Sequence, residues 1–407
     1  SIFMNSYIPP KHILQNYARV LVRFALGQED GILPGEVVEC VVPDIAKPLA
    51  LELQNEILRA GGHAIIRLAP TGFDKDFYNL ASSDQLTFFS EKYMRARADM
   101  IDHSLVVLAD VDPFLLSDVE PKKILLARDA RKKFRDWLFE KESNGKHTWT
   151  IGLWGVDAKA KLVGLTIEEY WDQIIYACFL DTEDPISEWK RVKETQLNIK
   201  TKLNSLKIDS LHSKGPDVDL TVKLGANRHW KGGADRNIPS FELFTSPDWR
   251  GTNGWIKFNQ PLYRYGNVIS GIKLEFKNGI IVNASATQGE NFLLEMIKTE
   301  NANKLGEYSL TDNRLSRITH PMAETLYDEN IGGPNGNMHV AIGMSYKDCF
   351  RDEADKPTSV PKKDWENLGF NESAEHTDMV STAEREVTAT LVSGEKLLIY
   401  SNGQFVL

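Results

Sequence analysis

Apolar and polar positions follow two different rhythms along this chain. In the first half, short apolar runs alternate with longer stretches of helical spacing. Residues 36–42 (Glu-Val-Val-Glu-Cys-Val-Val) read as a strand, Asp44 stands where it can cap a helix running to Ala60, Gly61-Gly62 ends that helix, and residues 64–68 form the next strand. The pattern goes on to predict a helix over 82–97, a strand over 101–108, a basic helix from Pro121, and a strand over 148–153. Short apolar strands separated by helices imply a parallel sheet covered on both faces. Helices over 166–180 and 185–206 close this half, the second with Asp184 at the cap and Pro185 in the first turn. After Ser213-Lys214-Gly215-Pro216 the rhythm shortens. Residues 219–224 alternate, 271–276 and 280–283 flank the hairpin signal Asn278-Gly279, and Asn402-Gly403 repeats the device near the end. The expected architecture is α/β: a Rossmann-like parallel-sheet domain over 1–210, followed by a largely antiparallel α+β domain over 211–407.

Composition narrows the field without naming a chemistry. The chain has 407 residues, 42% hydrophobic and 26% charged, the profile of a globular protein with more than one core. Its apolar runs are all shorter than the ~20 residues a membrane helix needs, and the expected location is the cytoplasm, with Met4 as the natural start. A formal charge of −9 opposes nucleic-acid binding, which needs a basic face. The densest basic stretch, Lys122 to Arg135, is interleaved with Ile124, Leu125, Leu126 and Phe134 and reads as a solvated helix face. Cys40, Cys178 and Cys349 fit no disulfide framework or thiolate zinc spacing. G-x-G-x-x-G, Walker, G-x-S-x-G and H-E-x-x-H sequences are all missing, which removes the usual foothold of nucleotide binding and of serine hydrolysis.

The candidate chemistry lies in the second half. His376 and Asp378 are two apart before a β-rich tail, so in an extended strand they share a face and reach one metal centre. Glu242 is the single carboxylate of an apolar, Pro-bounded segment, where an unpaired charge is costly to bury unless a cation accompanies it. Glu307 in Leu305-Gly306-Glu307 repeats that situation, and His339 sits in an otherwise apolar run with Tyr346 downstream. Two Glu, two His and one Asp form a mixed nitrogen and oxygen set, suited to Zn²⁺, Co²⁺ or Mn²⁺ more than to Ca²⁺. Five ligands exceed the three that one catalytic zinc normally takes from protein, so two metal ions are the better count. Of the other histidines, 12, 63, 103, 147, 212 and 320 are expected to be structural or exposed, while His229, in a polar turn before the Glu242 segment, is a candidate for lining a substrate cleft.

The order Asn-x-Pro-x-x-Glu-Leu-Phe-Thr-x-Pro, Leu-Gly-Glu, Asp328-Glu329-Asn330, His339-x-Ala341-x-Gly343 and His376-x-Asp378 resembles the thermophilic-type aminopeptidases, metallopeptidase family M29. The resemblance covers most of 219–407 and extends more weakly into the first half. It implies that Glu242, Glu307, His339, His376 and Asp378 hold two divalent ions, with Tyr346 at the metals, where a phenol can donate to the developing oxyanion or complete a metal shell. It also implies peptide substrates with a free N-terminus, hydrolysis by a metal-activated water, and a homodimer whose sites face an enclosed space. Glu307 is the expected bridge or base, and Glu329 is a second candidate for moving protons. The segment 331–338 is richer in glycine than the Asn-Ala-Ala type segment of many members, a difference that bears on the pocket wall. The alternatives are another dinuclear hydrolase, such as an amidohydrolase or phosphatase, and a non-catalytic metal-binding protein; these usually carry denser Asp/His clusters or lack a ligand.

Overall fold

The computed structural model describes residues 4–28, 30–225, 227–234, 236–352, 356, 358 and 360–407. The chain forms two compact units, one of Ser1–Arg191 with Ala234–Ser240 and one of Val192–Gly233 with Phe241–Leu407.

In the first unit, β1 (Val37–Pro43), β2 (His63–Ala69), β3 (His103–Leu108) and β4 (Thr148–Leu153) form a wholly parallel sheet in the order β2-β1-β3-β4. Val38, Cys40 and Val42 point one way from β1 into the core, as the period of two requires. The helix Lys47–Arg59 buries Leu49, Leu53 and Ile57, which recur every fourth residue along one face. Its start differs from the sequence expectation. Asp44 lies in a 3₁₀ turn (Asp44–Ala46) and its carboxylate accepts bonds from Thr71, while the helix begins at Lys47 with Pro48 in the first turn, where a missing N–H costs nothing. The expected helix over 82–97 is two, Ser83–Leu86 and Glu91–Met100, because the Thr87 hydroxyl bonds back to the Ser83 carbonyl and the chain leaves the helix through Phe88 and Phe89. The basic helix is likewise two, Pro121–Ala130 and Lys132–Ser143. Residues 234–240 return to this unit: Asn237 bridges to Ile151 on β4, Thr150 Oγ1 donates to the Arg236 carbonyl (2.6 Å), and Arg236 Nη1 donates to the carbonyls of Ala25 and Gly27 (3.0 Å each).

The second unit contains β5 (Ile208–Gly215), β6 (Val218–Lys223), β7 (Lys231–Gly232), β8 (Glu242–Thr245), β9 (Asp248–Lys257), β10 (Leu262–Arg264), β11 (Asn267–Ile269) and β12 (Lys273–Lys277). It continues with β13 (Ile280–Ser285), β14 (Leu305–Thr311), β15 (Asn337–Gly343), β16 (His376–Ser381), β17 (Glu386–Leu391), β18 (Lys396–Ser401) and β19 (Gln404–Phe405). An eight-stranded antiparallel sheet runs β13-β12-β9-β6-β5-β17-β18-β19, a five-stranded one runs β16-β15-β14-β8-β7, and β10-β11 is a separate hairpin. Asn278-Gly279 turns β12 into β13 with positive φ at both residues, as the hairpin signal anticipates. Leu220, Val222, Leu274 and Val387 of the large sheet share one core with Leu243, Tyr308, Leu310, Val340 and Met379 of the smaller sheet, and Phe292, Leu293 and Met296 of the helix Glu290–Lys298 join it. The core thus takes one face of the five-stranded sheet. The other face is left for polar residues.

Candidate metal centre

Alternation along four neighbouring strands builds the centre. On β8, β14, β15 and β16 the residues Leu243, Tyr308, Leu310, Met338, Val340, Ile342 and Met379 enter the core, so Glu242, Glu307, His339, His376 and Asp378 project together from the opposite face. Register brings them level. Thr311 pairs with Glu242, Ser309 with His339, Ala341 with Asp378 and Gly343 with His376. The partners of Asp378 and His376 on β15 are the small residues Ala341 and Gly343, which leave room above the sheet where the ligands converge. At Gly306 the register of β14 against β15 shifts, and a Cβ there would lie 2.2 Å from the Met344 carbonyl oxygen. That bulge re-aims Glu307.

All five side chains meet. His339 Nε2 lies 3.0 Å from Glu242 Oε2 and 3.3 Å from Glu307 Oε1, while His376 Nε2 lies 3.1 Å from Glu307 Oε2. Asp378 Oδ1 is 3.7 Å from both imidazole Nε2 atoms. Each ring is oriented from behind: His339 Nδ1 faces the Glu329 carbonyl (3.2 Å) and His376 Nδ1 faces the Met344 carbonyl (2.9 Å). A carbonyl oxygen only accepts, so Nδ1 carries a hydrogen and Nε2 is the atom turned toward the carboxylates. Ser309 Oγ donates to Glu242 Oε2 (2.7 Å) and fixes that carboxylate. Tyr346 Oη reaches 3.5 Å from His376 Nε2, its ring edge-on to both Phe244 and His376.

The electrostatics favour cations. Burial raises the Glu242 carboxyl above its ordinary range. Burial acts the same way on Glu307, but hydrogen bonds from His339 and His376 outweigh it and hold this carboxyl at about 2. Burial would depress His376, yet Asp378 and Glu307 raise it to about 9, and Glu242 with Glu307 lifts His339 well above its usual value in the same way. The field that raises two imidazoles is one that attracts a divalent ion. Burial, then Glu307 and Asp378, keep the Tyr346 phenol protonated.

The donor set fits such ions. Ligand atoms lie within 4.8 Å of one another in three groups: Glu242, Glu307 and His339; Glu307, His376 and Asp378; and Glu329, His339 and Asp378. Glu307 belongs to the first two. Asp378 Oδ1 is buried with no hydrogen-bond partner among the described residues, a demand that a cation meets. Glu329, expected only as a proton carrier, has its carboxylate among the ligand groups. Burial, followed by the charges of Asp378 and Glu242, raises its pKa well above the ordinary range. It follows the short helix Thr325–Asp328, where Asp328 accepts the N–H groups of Met322 and Glu324, and Asn330 accepts the N–H of Phe241 (2.8 Å). The glycine-rich segment after it folds back through Gly332 N–H to the Ile318 carbonyl, so a residue ten positions before His339 reaches the same face.

Several of the remaining histidines have structural partners. His103 bridges Glu36 and Thr148 (2.6 Å each), and His212 meets Asp219 (2.8 Å) across the β5–β6 hairpin, carboxylates that linear spacing did not associate with them. His229 is buried, its Nδ1 accepting from Arg351 Nε (2.9 Å) and Asn204 Nδ2 (3.0 Å), contacts that anchor a loop.

The sequence matches the family described as "Thermophilic metalloprotease (M29)" over residues 11–405. It is 29% identical to aminopeptidase T of Thermus aquaticus, covering 73% of this chain and 74% of that one. It is 26% identical to aminopeptidase PepS of Streptococcus thermophilus, covering 98% of both chains. The fold resembles wild-type AmpT from Thermus thermophilus with a TM-score of 0.81 over 98% of this chain and 100% of that one, at 24% identity.

Proposed function

The chain belongs to the M29 family of metalloproteases, and from that premise we propose that it is a metal-dependent aminopeptidase releasing N-terminal residues from peptides, with two divalent ions, Zn²⁺, Co²⁺ or Mn²⁺, held by Glu242, Glu307, His339, His376 and Asp378. The observation that carries the two-ion reading is Glu307, whose two oxygens face different histidines at 3.3 and 3.1 Å. A carboxylate so placed suits a bridge between ions. Bound ions supply Lewis acidity at the scissile carbonyl and lower the pKa of water.

The chain's own groups do the rest. Tyr346, a protonated phenol beside His376, donates a hydrogen bond to the oxygen that gains charge as the carbonyl is attacked. Glu329 is the carboxyl best suited to take a proton and return it to the leaving amine, since it borders the ligand groups and holds its proton more readily than an exposed carboxyl. The acidic cluster is complementary to the ammonium of a free N-terminus. The net charge of −9 disfavours nucleic acid as a partner. Buried thiols at Cys40, Cys178 and Cys349 suit a reducing compartment, the cytoplasm. No helix among the described residues is long and apolar enough to cross a membrane. The family resemblance supports a homodimer.

The decisive experiment is elemental analysis of protein purified without added metal, paired with release of free amino acids from a peptide panel. Two equivalents of metal, loss of hydrolysis on chelation and inertness of N-acetylated peptides are expected. Full turnover after exhaustive metal removal, or efficient cleavage within blocked peptides, overturns the proposal.

A further inference from the structure

Two of the five proposed ligands, His376 and Asp378, lie on β16, and β16 is the edge strand of its sheet. An edge strand has one row of backbone groups without a strand to hold them, and its register and twist are correspondingly soft. A metal site tolerates little of that softness.

The free edge of β16 is held by side chain and loop. Arg264, at the end of β10, donates through Nη1 to the His376 carbonyl (2.8 Å) and to Thr377 Oγ1 (2.6 Å). Its Nη2 lies 3.4 Å from Glu375 Oε1, and Glu375, fully buried, also accepts from the Thr377 hydroxyl. One guanidinium therefore grips three consecutive residues, Glu375, His376 and Thr377, immediately before Asp378. Four residues along, on the same edge, the Gln260 N–H donates to the Val380 carbonyl (3.3 Å). Arg264 is itself set by Tyr265, which it overlies at 4.9 Å and whose hydroxyl accepts from Nη2 (3.0 Å). The planar fork with fixed donors is what this grip needs, and a lysine ammonium cannot span all three acceptors.

We infer that Arg264 is a positioning residue for the ion held by Glu307, His376 and Asp378, clamping the unpaired edge of β16 so that the imidazole and the carboxylate keep their separation. The inference rests on the two-ion reading above. The group formed by Glu242, Glu307 and His339 lies on β8, β14 and β15, inside the sheet, and does not depend on the clamp.

The test is competitive titration of metal-free protein with Zn²⁺ against a chromophoric chelator, on the unaltered chain, Arg264→Met, Arg264→Lys and Thr377→Val, with the thermal midpoint of each metal-free protein recorded. The expected result for Arg264→Met is that one equivalent weakens by about 10- to 100-fold, the scale of ligand-supporting groups, while the other stays within about threefold and the metal-free midpoint moves little. Arg264→Lys and Thr377→Val, which keep part of the grip, fall between; they carry the test if Arg264→Met does not fold. Retention of both affinities in the variants overturns the inference, as does parallel weakening of both equivalents with a lowered metal-free midpoint. Uptake of fewer than two equivalents by the unaltered chain overturns the two-ion reading itself, and the inference with it.

Discussion

His376 shows how much hangs on one side chain: its Nε2 faces Glu307, its Nδ1 is fixed by a carbonyl, and its backbone is gripped by Arg264. His376→Ala should lower metal content below two equivalents and cut turnover by more than the roughly 100-fold typical of a supporting group, with circular dichroism unchanged; retained metal and more than about a tenth of the turnover would remove it from the ligand set. His103→Ala is the contrasting case. It severs a buried bridge between Glu36 and Thr148 in the first unit, so it should cost about 1–3 kcal/mol in denaturant unfolding and leave metal stoichiometry untouched. A third residue predicts pH dependence. Burial first, then Lys141, His103 and Arg236, push His147 down to about 4, whereas an unfolded imidazole takes its proton near ~6.5. Between those values the unfolded chain binds more protons, so this contribution is fully present above ~6.5 and is lost as pH falls toward ~4, at most about 3 kcal/mol. Urea midpoints at the two ends of that window should differ less in His147→Asn than in the unaltered chain. The five proposed ligands were legible as candidates because Glu242, Glu307 and His339 each stand in an otherwise apolar segment, and His376 and Asp378 share a strand face two residues apart. Arg264 and the ligand-side placement of Glu329 were not, since both act through loops and edges that leave no periodic trace.

At the scale of elements, the face that carries the proposed ligands exists because β15 and β16 stay in register while the bulge at Gly306 re-aims Glu307 on β14. Gly343 tests that arrangement: its φ is 100° and a Cβ would lie 2.1 Å from the Glu375 carbonyl oxygen. Gly343→Ala should therefore force β15 and β16 apart beside His376, costing about 1–3 kcal/mol from backbone strain alone and weakening Zn²⁺ uptake, read by the same competitive titration; uptake equal to the unaltered chain would show that the spacing is more tolerant. The parallel strands and the Asn-Gly hairpins could be read from the sequence, because a period of two and a turn demanding positive φ are local signals. Helix ends were harder. Thr87 and Pro48 moved them by competing for, or lacking, a backbone hydrogen bond, and such contests are decided by a few tenths of a kcal/mol to about 1 kcal/mol.

For the whole molecule, ions that tie β8, β14, β15 and β16 together would stabilise the folded state by linkage. At free Zn²⁺ about 100-fold above the dissociation constant, each site contributes about 2.7 kcal/mol, so chelation should lower the thermal midpoint on the order of 5–10 °C. Calorimetry with and without chelator measures this, and an unchanged midpoint would mean that the folded state does not bind ions tightly. The two halves differ in texture, and that was visible in the chain. The return of residues 234–240 to the first unit was not, because a polar turn carries no sign of which sheet it will join.

That return also sets an order for synthesis. Arg236 binds the carbonyls of Ala25 and Gly27, and Asn237 bridges to β4, yet these residues emerge from the ribosome only after the whole of Val192–Gly233 has been made. At ~5–20 residues per second the first unit waits a few seconds for its last contacts. During that wait the beginning of the second unit is already outside the ribosome, so the nascent chain cannot finish one unit before starting the next.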